Sequence, residues 1–283
     1  MHPAIEHSGH YSTSDGHQLY WERHGTPQGE PIFFLHGGPG GYCNNKHLLF
    51  FDLKHFDVIL FDQRGCGRST PQGELTNNNT DAVVQDIDDL RHYFGFERIS
   101  LLGVSWGSWL ALKYQHRFKH RVKRGVAASV FVPVDEVFDT YDRILQQILE
   151  RLPEAGLTLQ RTYNTLCTGT PQARQAAALS WSKAHLGESM TDEQLNAFVD
   201  HSAIASIRLE LHYHLNHYFF TPADMLLRIS PRMTLIQGID DTCGMASLDW
   251  LRKRSRASVV QVRAGHNALE PTLLSKIRET LNP

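Results

Sequence analysis

No apolar stretch in this 283-residue chain approaches the ~18–20 residues that a membrane-spanning helix needs. Its opening, Met1-His2-Pro3-Ala4-Ile5-Glu6-His7, lacks the basic-then-apolar pattern of a secretory signal. Cysteine is sparse. Cys43, Cys66, Cys167 and Cys243 are scattered with no CxxC pair, which argues against a disulfide framework and for a reducing cytoplasm. Neither sign of charge is in excess: 28 Lys and Arg stand against 30 Asp and Glu, a net charge of −2. Those totals point away from nucleic acid and away from an acidic membrane surface. Internal repeats and low-complexity segments are also missing. What the chain does have is 41% hydrophobic residues, enough to fill a sizeable core.

The most informative stretch is Leu101-Leu102-Gly103-Val104-Ser105-Trp106-Gly107-Ser108-Trp109-Leu110. An apolar run, Ile99 to Leu102, ends at Gly103, and an apolar run with helical spacing follows Ser105. Between them lies Gly-x-Ser-x-Gly, the spacing of a nucleophile elbow. A strand that turns sharply into a helix strains the residue at the apex and brings the two arms nearly into contact. The residues two positions away must therefore be small. Gly103 and Gly107 meet that demand and leave the Ser105 hydroxyl exposed above the sheet. Ser105 is the expected nucleophile.

Upstream, Pro31 to Leu35 is a short continuous apolar run, the mark of a strand buried on both faces. It leads into His36-Gly37-Gly38-Pro39-Gly40-Gly41, whose glycines let backbone N–H groups converge on an anion. In elbow hydrolases one oxyanion donor follows the nucleophile and the other comes from such an early loop. The expected donors are the N–H groups of Gly38 and Trp106. Another buried run, Val58 to Phe61, precedes Asp62-Gln63-Arg64-Gly65-Cys66-Gly67-Arg68-Ser69, where Asp62 and Arg64 read as groups that tie the loop to its neighbours. Thr80-Asp81 can cap a helix from about Asp81 to Tyr93. Gln18 to His24 and Arg124 to Val132 read as further strands. Strands alternating with helices predict an α/β protein with a parallel sheet covered on both sides.

These segments together resemble the proline iminopeptidase (prolyl aminopeptidase) family of α/β-hydrolases. The resemblance rests on the glycine loop, Phe50-Phe51-Asp52, the Asp-Gln-Arg-Gly loop, Asn79-Thr80 and Ser105-Trp106-Gly107-Ser108. It covers Pro31 to Tyr114 closely. It implies an α/β-hydrolase core, residues 1–132 and 231–283, with a mostly parallel central sheet. It also implies an inserted helical cap, residues 133–230. The texture agrees: Val137 to Leu152, Pro171 to His185 and Asp192 to His217 are long helical patterns without buried strand runs.

The resemblance aligns Arg208-Leu209-Glu210-Leu211-His212-Tyr213 with the family's Arg-Ile-Glu-x-His-Tyr and implies that Glu210 binds the free α-amino group of a peptide. A rival register aligns Asn216-His217-Tyr218-Phe219 with the family's Asn-His-Tyr-Phe and leaves Leu215 in the glutamate position. On one helix, His212, His214 and His217 do not share a face, so no metal site is expected there. Two departures stand out. The family's Trp-x-x-Trp-Glu, which carries a second amine-binding glutamate, reads Trp181-Ser182-Lys183-Ala184-His185 here, with Glu188 as a possible substitute. Ala127-Ala128-Ser129-Val130-Phe131 stands where the family has Leu-Arg-Gly-Ile-Phe.

Past the insertion, Met233 to Gln237 reads as a buried strand followed by Gly238-Ile239-Asp240-Asp241. The triad acid belongs after such a strand. The family's Gly-x-x-Asp spacing favours Asp241, with Asp240 as the rival. Ala246 to Arg254 reads as a helix and Ser258 to Val262 as the last strand, which delivers Gly265-His266. Among 17 histidines it is position that singles out His266 as general base. The order Ser105, Asp241, His266 is that of α/β-hydrolases. A helix from about Pro271 to Leu281 closes the chain. The resemblance implies a serine hydrolase that needs no cofactor, an aminopeptidase releasing N-terminal proline or another small residue from small peptides through an acyl-enzyme on Ser105. The alternatives are an esterase or amidase on small uncharged acyl substrates, or a hydrolase-fold binding protein. The oligomeric state is left open.

Overall fold

The computed structural model describes residues 7–150, 158–186 and 190–282. Its centre is an eight-stranded sheet. In chain order the strands are β1 (His7–Ser12), β2 (Gln18–Gly25), β3 (Glu30–Leu35), β4 (Phe56–Phe61), β5 (Ile99–Val104), β6 (Val122–Ala128), β7 (Met233–Gly238) and β8 (Ser258–Val262). In space the order is β1-β2-β4-β3-β5-β6-β7-β8. β1, β2 and β4 pair antiparallel, and every pairing from β4 to β8 is parallel. A 3-10 turn, Asn45–Phe50, lies between β3 and β4. The helices of the core are α1 (Thr80–Tyr93) and α2 (Trp106–Arg117), flanking β5 in the chain, and α8 (Thr242–Arg252) and α9 (Pro271–Leu281), flanking β8.

The alternation of side chains along each strand builds two cores. Phe33, Leu35, Ile59, Phe61 and Leu101 face one side, packed with Trp109 and Ile87. Ile32, Phe34, Val58, Leu60 and Leu102 face the other, packed with Leu273 and Ile277 of α9. A two-sided sheet requires runs that are apolar at every position, and β3 and β4 have them.

Between β6 and β7 the chain forms α3 (Asp135–Glu150), α4 (Leu159–Thr168), α5 (Pro171–Leu186), α6 (Asp192–Phe198) and α7 (His201–Leu215). They have a core of their own, with Leu145, Leu149, Leu166, Trp181 and Leu211 among its members. No helix among the described residues is long and apolar enough to cross a membrane.

Several boundaries differ from the sequence reading, each for a local reason. Asn79 caps α1, its side chain accepting from the Ala82 amide, and Thr80 already lies inside the helix. β6 stops at Ala128 because Ser129 takes a positive φ of 47°. The pattern from Asp192 to His217 is two helices, broken where the Asp200 carboxylate caps α7 by accepting from the Ala203 amide. α4 and the edge strand β1 were not anticipated. β1 is mostly exposed, so no apolar run marks it.

Three strands are tied at their N-terminal ends by Glu30. Its carboxylate accepts from Ser100, Lys123 and Arg124 at 2.6, 2.6 and 2.7 Å. Burial alone would raise this carboxyl, but the bonds from Arg124, Lys123 and Ser100 outweigh it and pull it from 4.5 to about 2. A depressed carboxylate stabilises the fold above its unfolded value and loses that contribution as pH falls toward the folded one. Glu30→Gln should therefore flatten the acid limb of stability between pH 4.5 and about 2. Urea unfolding across that range measures it, and an unchanged acid limb would contradict the assignment.

Candidate active site

Ser105 sits at the turn from β5 into α2 with φ 55° and ψ −124°, a conformation few non-glycine residues adopt. The strain is held by its surroundings. A Cβ on Gly103 would lie 2.1 Å from the Gly107 carbonyl oxygen, and one on Gly107 would lie 1.9 Å from that of Leu35. Neither position admits a side chain, which is the steric origin of the motif. The Ser105 amide donates to the Ala128 carbonyl at 3.0 Å, locking the apex to β6.

The loops after β7 and β8 bring two more side chains to that apex. The Ser105 hydroxyl lies 2.9 Å from His266 Nε2, and His266 Nδ1 lies 2.7 Å from Asp241 Oδ2. The imidazole is half exposed and the carboxylate only 6% exposed. Asp241 also accepts from the Gly244 amide at 3.0 Å and from Gln237 at 2.9 Å. Burial alone would raise the Asp241 carboxyl. The hydrogen bond and charge of His266, with the Gly244 and Gln237 donors, hold it below the usual carboxylate value instead. Asp240 is exposed and its backbone amide donates to the Ala264 carbonyl. Of the two aspartates, the structure brings only Asp241 to His266.

The glycine loop lies over the same apex. A Cβ on Gly37 would come 3.2 Å from that of Ser105, and Gly38, at φ 118°, is wound so tightly that its own would meet the Gly40 and Gly41 amides. Neither the Gly38 nor the Trp106 N–H donates to a backbone acceptor among the described residues. Beneath the loop, buried His36 donates from Nδ1 to the Gly37 carbonyl at 2.8 Å and accepts from the Gln63 amide at Nε2. Burial lowers its pKa, so the ring is neutral. Gln63 then links the two halves of the site: its NH2 donates to the His36 carbonyl at 2.9 Å, and its oxygen accepts from the Trp106 indole at 3.2 Å. Asp62 and Arg64 bond other loops and helices. Asp62 holds Cys43 and Arg68, and Arg64 holds Asp86 and Asp15.

Glu210, on α7, accepts from the Tyr141 hydroxyl of α3 at 2.8 Å. Burial, then the charge of Glu210, pushes the Tyr141 phenol well above its ordinary value, so it stays a donor. An aromatic wall adjoins it: Tyr218 packs on Trp106 at 5.6 Å and on Phe131 at 5.0 Å between ring centres. Each of the three histidines has other partners: His212 bonds Tyr163 and the Asn78 carbonyl, His214 bonds Asp142, and His214 and His217 both stack on Phe138.

Residues 30–206 match the family model of the alpha/beta hydrolase fold. The chain is 35% identical to a proline iminopeptidase from Xylella fastidiosa, over 93% of this chain and 91% of that one. It is 32% identical to one from Arabidopsis thaliana, over 95% of this chain and 77% of that one. The chain belongs to the proline iminopeptidase family of α/β-hydrolases. Among solved structures it superposes on a proline iminopeptidase-related protein from Thermus thermophilus with TM-score 0.64 and 22% identity, covering 97% and 96% of the two chains. At that identity the likeness speaks for the fold alone.

Within this family the departures seen in the sequence acquire places. His185 stands exposed near the end of α5, its ring 4.8 Å from that of buried Trp181. Glu188 lies outside the described residues. Three residues that hydrogen-bond to these groups have no role in the sequence reading. Gln237 had a legible signal: an amide ending a buried strand must find partners, and it takes the Val130 amide and Asp241. Gln63 and Tyr141 had none, because their partners are far away in the chain.

Proposed function

We propose that the protein is an aminopeptidase that releases proline or another small residue from the N-terminus of peptides through an acyl-enzyme on Ser105. The observation that carries the reading is the chain of contacts from Ser105 through His266 to buried Asp241. In it, His266 takes the Ser105 proton as the hydroxyl attacks the scissile carbonyl, and Asp241 holds the tautomer and stabilises the imidazolium. The Gly38 and Trp106 N–H groups receive the oxyanion. His266 then passes the proton to the leaving amine and activates the water that frees the acyl group.

Residues 133–230 act in this reading as a cap over the core of 1–132 and 231–283. Two contacts support that: the Ser206 carbonyl of α7 lies 2.5 Å from where a Cβ on Gly40 would be, and His212 of the same helix bonds the Asn78 carbonyl at 2.9 Å. An ammonium entering a partly dry pocket needs a carboxylate, and Glu210, oriented by Tyr141, supplies it. The thiols, free and unpaired, fit a cytoplasmic setting.

Glu210→Gln should lower kcat/KM for proline p-nitroanilide by ~30-fold, the loss of about 2 kcal/mol of charge-assisted binding. Hydrolysis of a neutral p-nitrophenyl ester should change by no more than about twofold. Equal losses on both substrates would refute the amine-binding role. A second reading, an esterase or amidase for uncharged acyl groups, is favoured by His185 standing where the family has its second glutamate. Preference for N-acetylated over free proline p-nitroanilide would select it.

A further inference from the structure

The catalytic candidates gather at the C-terminal ends of the strands. At the opposite ends, where β6, β7 and β8 begin, the structure collects cations. A groove of about 740 Å³ is lined by Arg117, Lys119, Arg121, Arg228 and Arg232. A second groove of about 810 Å³ is lined by Arg228, Lys253, Arg254 and Arg256. They share Arg228 and Ile229, no carboxylate lines either, and together they hold eight of the chain's 28 lysines and arginines. The backbone holds the segments together. Ile229 bridges Ser255, and the Arg232 guanidinium donates to the carbonyls of Lys119 and Val122.

Neighbouring acids neutralise little of this. Asp88 takes Arg121, Asp249 pairs with Arg252, and Asp224 is held by Lys113. Lys123 and Arg124, engaged by Glu30, are outside the grooves. The side chains of Lys119, Lys253 and Arg256 are exposed and have no hydrogen-bond or ion-pair partner among the described residues. Beside these cations project two apolar side chains from the 3-10 turn Asp224–Leu226: Met225, 44% exposed, and Leu226, 67% exposed. Met225 lines the second groove itself.

We propose that this edge of the sheet is a docking surface for an anionic phospholipid bilayer. Cations at headgroup level and apolar side chains reaching the acyl boundary are what a bilayer surface rewards. Single-stranded nucleic acid would want free aromatic faces. Here the aromatic rings are taken: Phe118 lies under Arg117 and Arg121, and Trp250 lies under Arg254 at 4.1 Å. Docking by this edge leaves Ser105, at the far ends of the strands, turned toward solution.

The test is co-sedimentation of the full chain with phosphatidylcholine vesicles, with and without one part in three of phosphatidylserine. Binding is expected only to the anionic vesicles, and it should fall as salt rises from about 0.05 to 0.5 M, where screening shortens the reach of the charges. The triple variant Lys119→Glu, Lys253→Glu, Arg256→Glu should bind at least ~10-fold more weakly. Leu226→Ser should bind severalfold more weakly with the salt dependence unchanged. Thermal melting checks that both variants fold. Equal recovery with both vesicle types, no recovery with either, or a charge-reversed variant that binds like wild type would overturn the proposal. So would heparin binding that matches vesicle binding and ignores Leu226→Ser, since that marks a general polyanion site.

Discussion

Ser105→Ala should leave the fold intact and reduce hydrolysis of proline p-nitroanilide by on the order of 10⁶-fold in kcat, the scale seen when a triad serine is removed elsewhere. The loss is large because the proposed mechanism forms its acyl bond on Ser105. Cys243, the thiol two residues after Asp241, does not replace it, since burial raises its pKa and keeps it protonated. The backbone should tolerate the change: alanine keeps the Cβ, and the Ser105 amide bond to Ala128 is untouched. A serine-directed fluorophosphonate probe should label the wild type and not the variant. Labelling that survives the substitution, or activity within tenfold of wild type, would remove Ser105 from the mechanism.

The second large effect separates two adjacent aspartates. Asp241→Asn should lower kcat by about 10⁴-fold, because an amide in place of the carboxylate favours the wrong imidazole tautomer and no longer stabilises its cation. Asp240→Asn should stay within about twofold, as exposed surface changes do. The contrast rests on geometry: the Asp241 carboxylate reaches His266 at 2.7 Å, while Asp240 points to solvent. The depressed Asp241 carboxyl adds a sign to the pH dependence. Its charge stays beside the imidazole down to its lowered value, below 3.8, while its contribution to stability is full above 3.8 and is lost as pH falls through that lowered value. A variant pair with the opposite ranking, measured by steady-state kinetics at neutral pH, would reassign the acid.

Much of the architecture was legible because its demands are local. A strand buried on both faces must be apolar at consecutive positions, so β3, β4 and β7 could be read directly. The elbow needs two glycines at fixed offsets, since a Cβ at either would strike backbone. His266 could be picked out by its place after the last strand. Exposed β1 escaped notice because half-polar edge strands carry little pattern, and the break at Asp200 escaped because helical spacing continues across it. Glu210, in the register that matches the family on both sides of the acid, lies against Tyr141.

By itself, then, the amino-acid order determined the layering of the sheet, the strained serine turn and the glycine loop, since each answers to steric rules among residues a few positions apart. Only the tertiary structure decided which aspartate meets the imidazole, that Gln63 and Gln237 brace the site, and that a chain of net charge −2 carries a strongly cationic edge. Hydrogen bonds and Coulomb forces depend on distance through space. Residues 119, 228 and 253 lie far apart along the chain and become one charged surface only when the strands assemble.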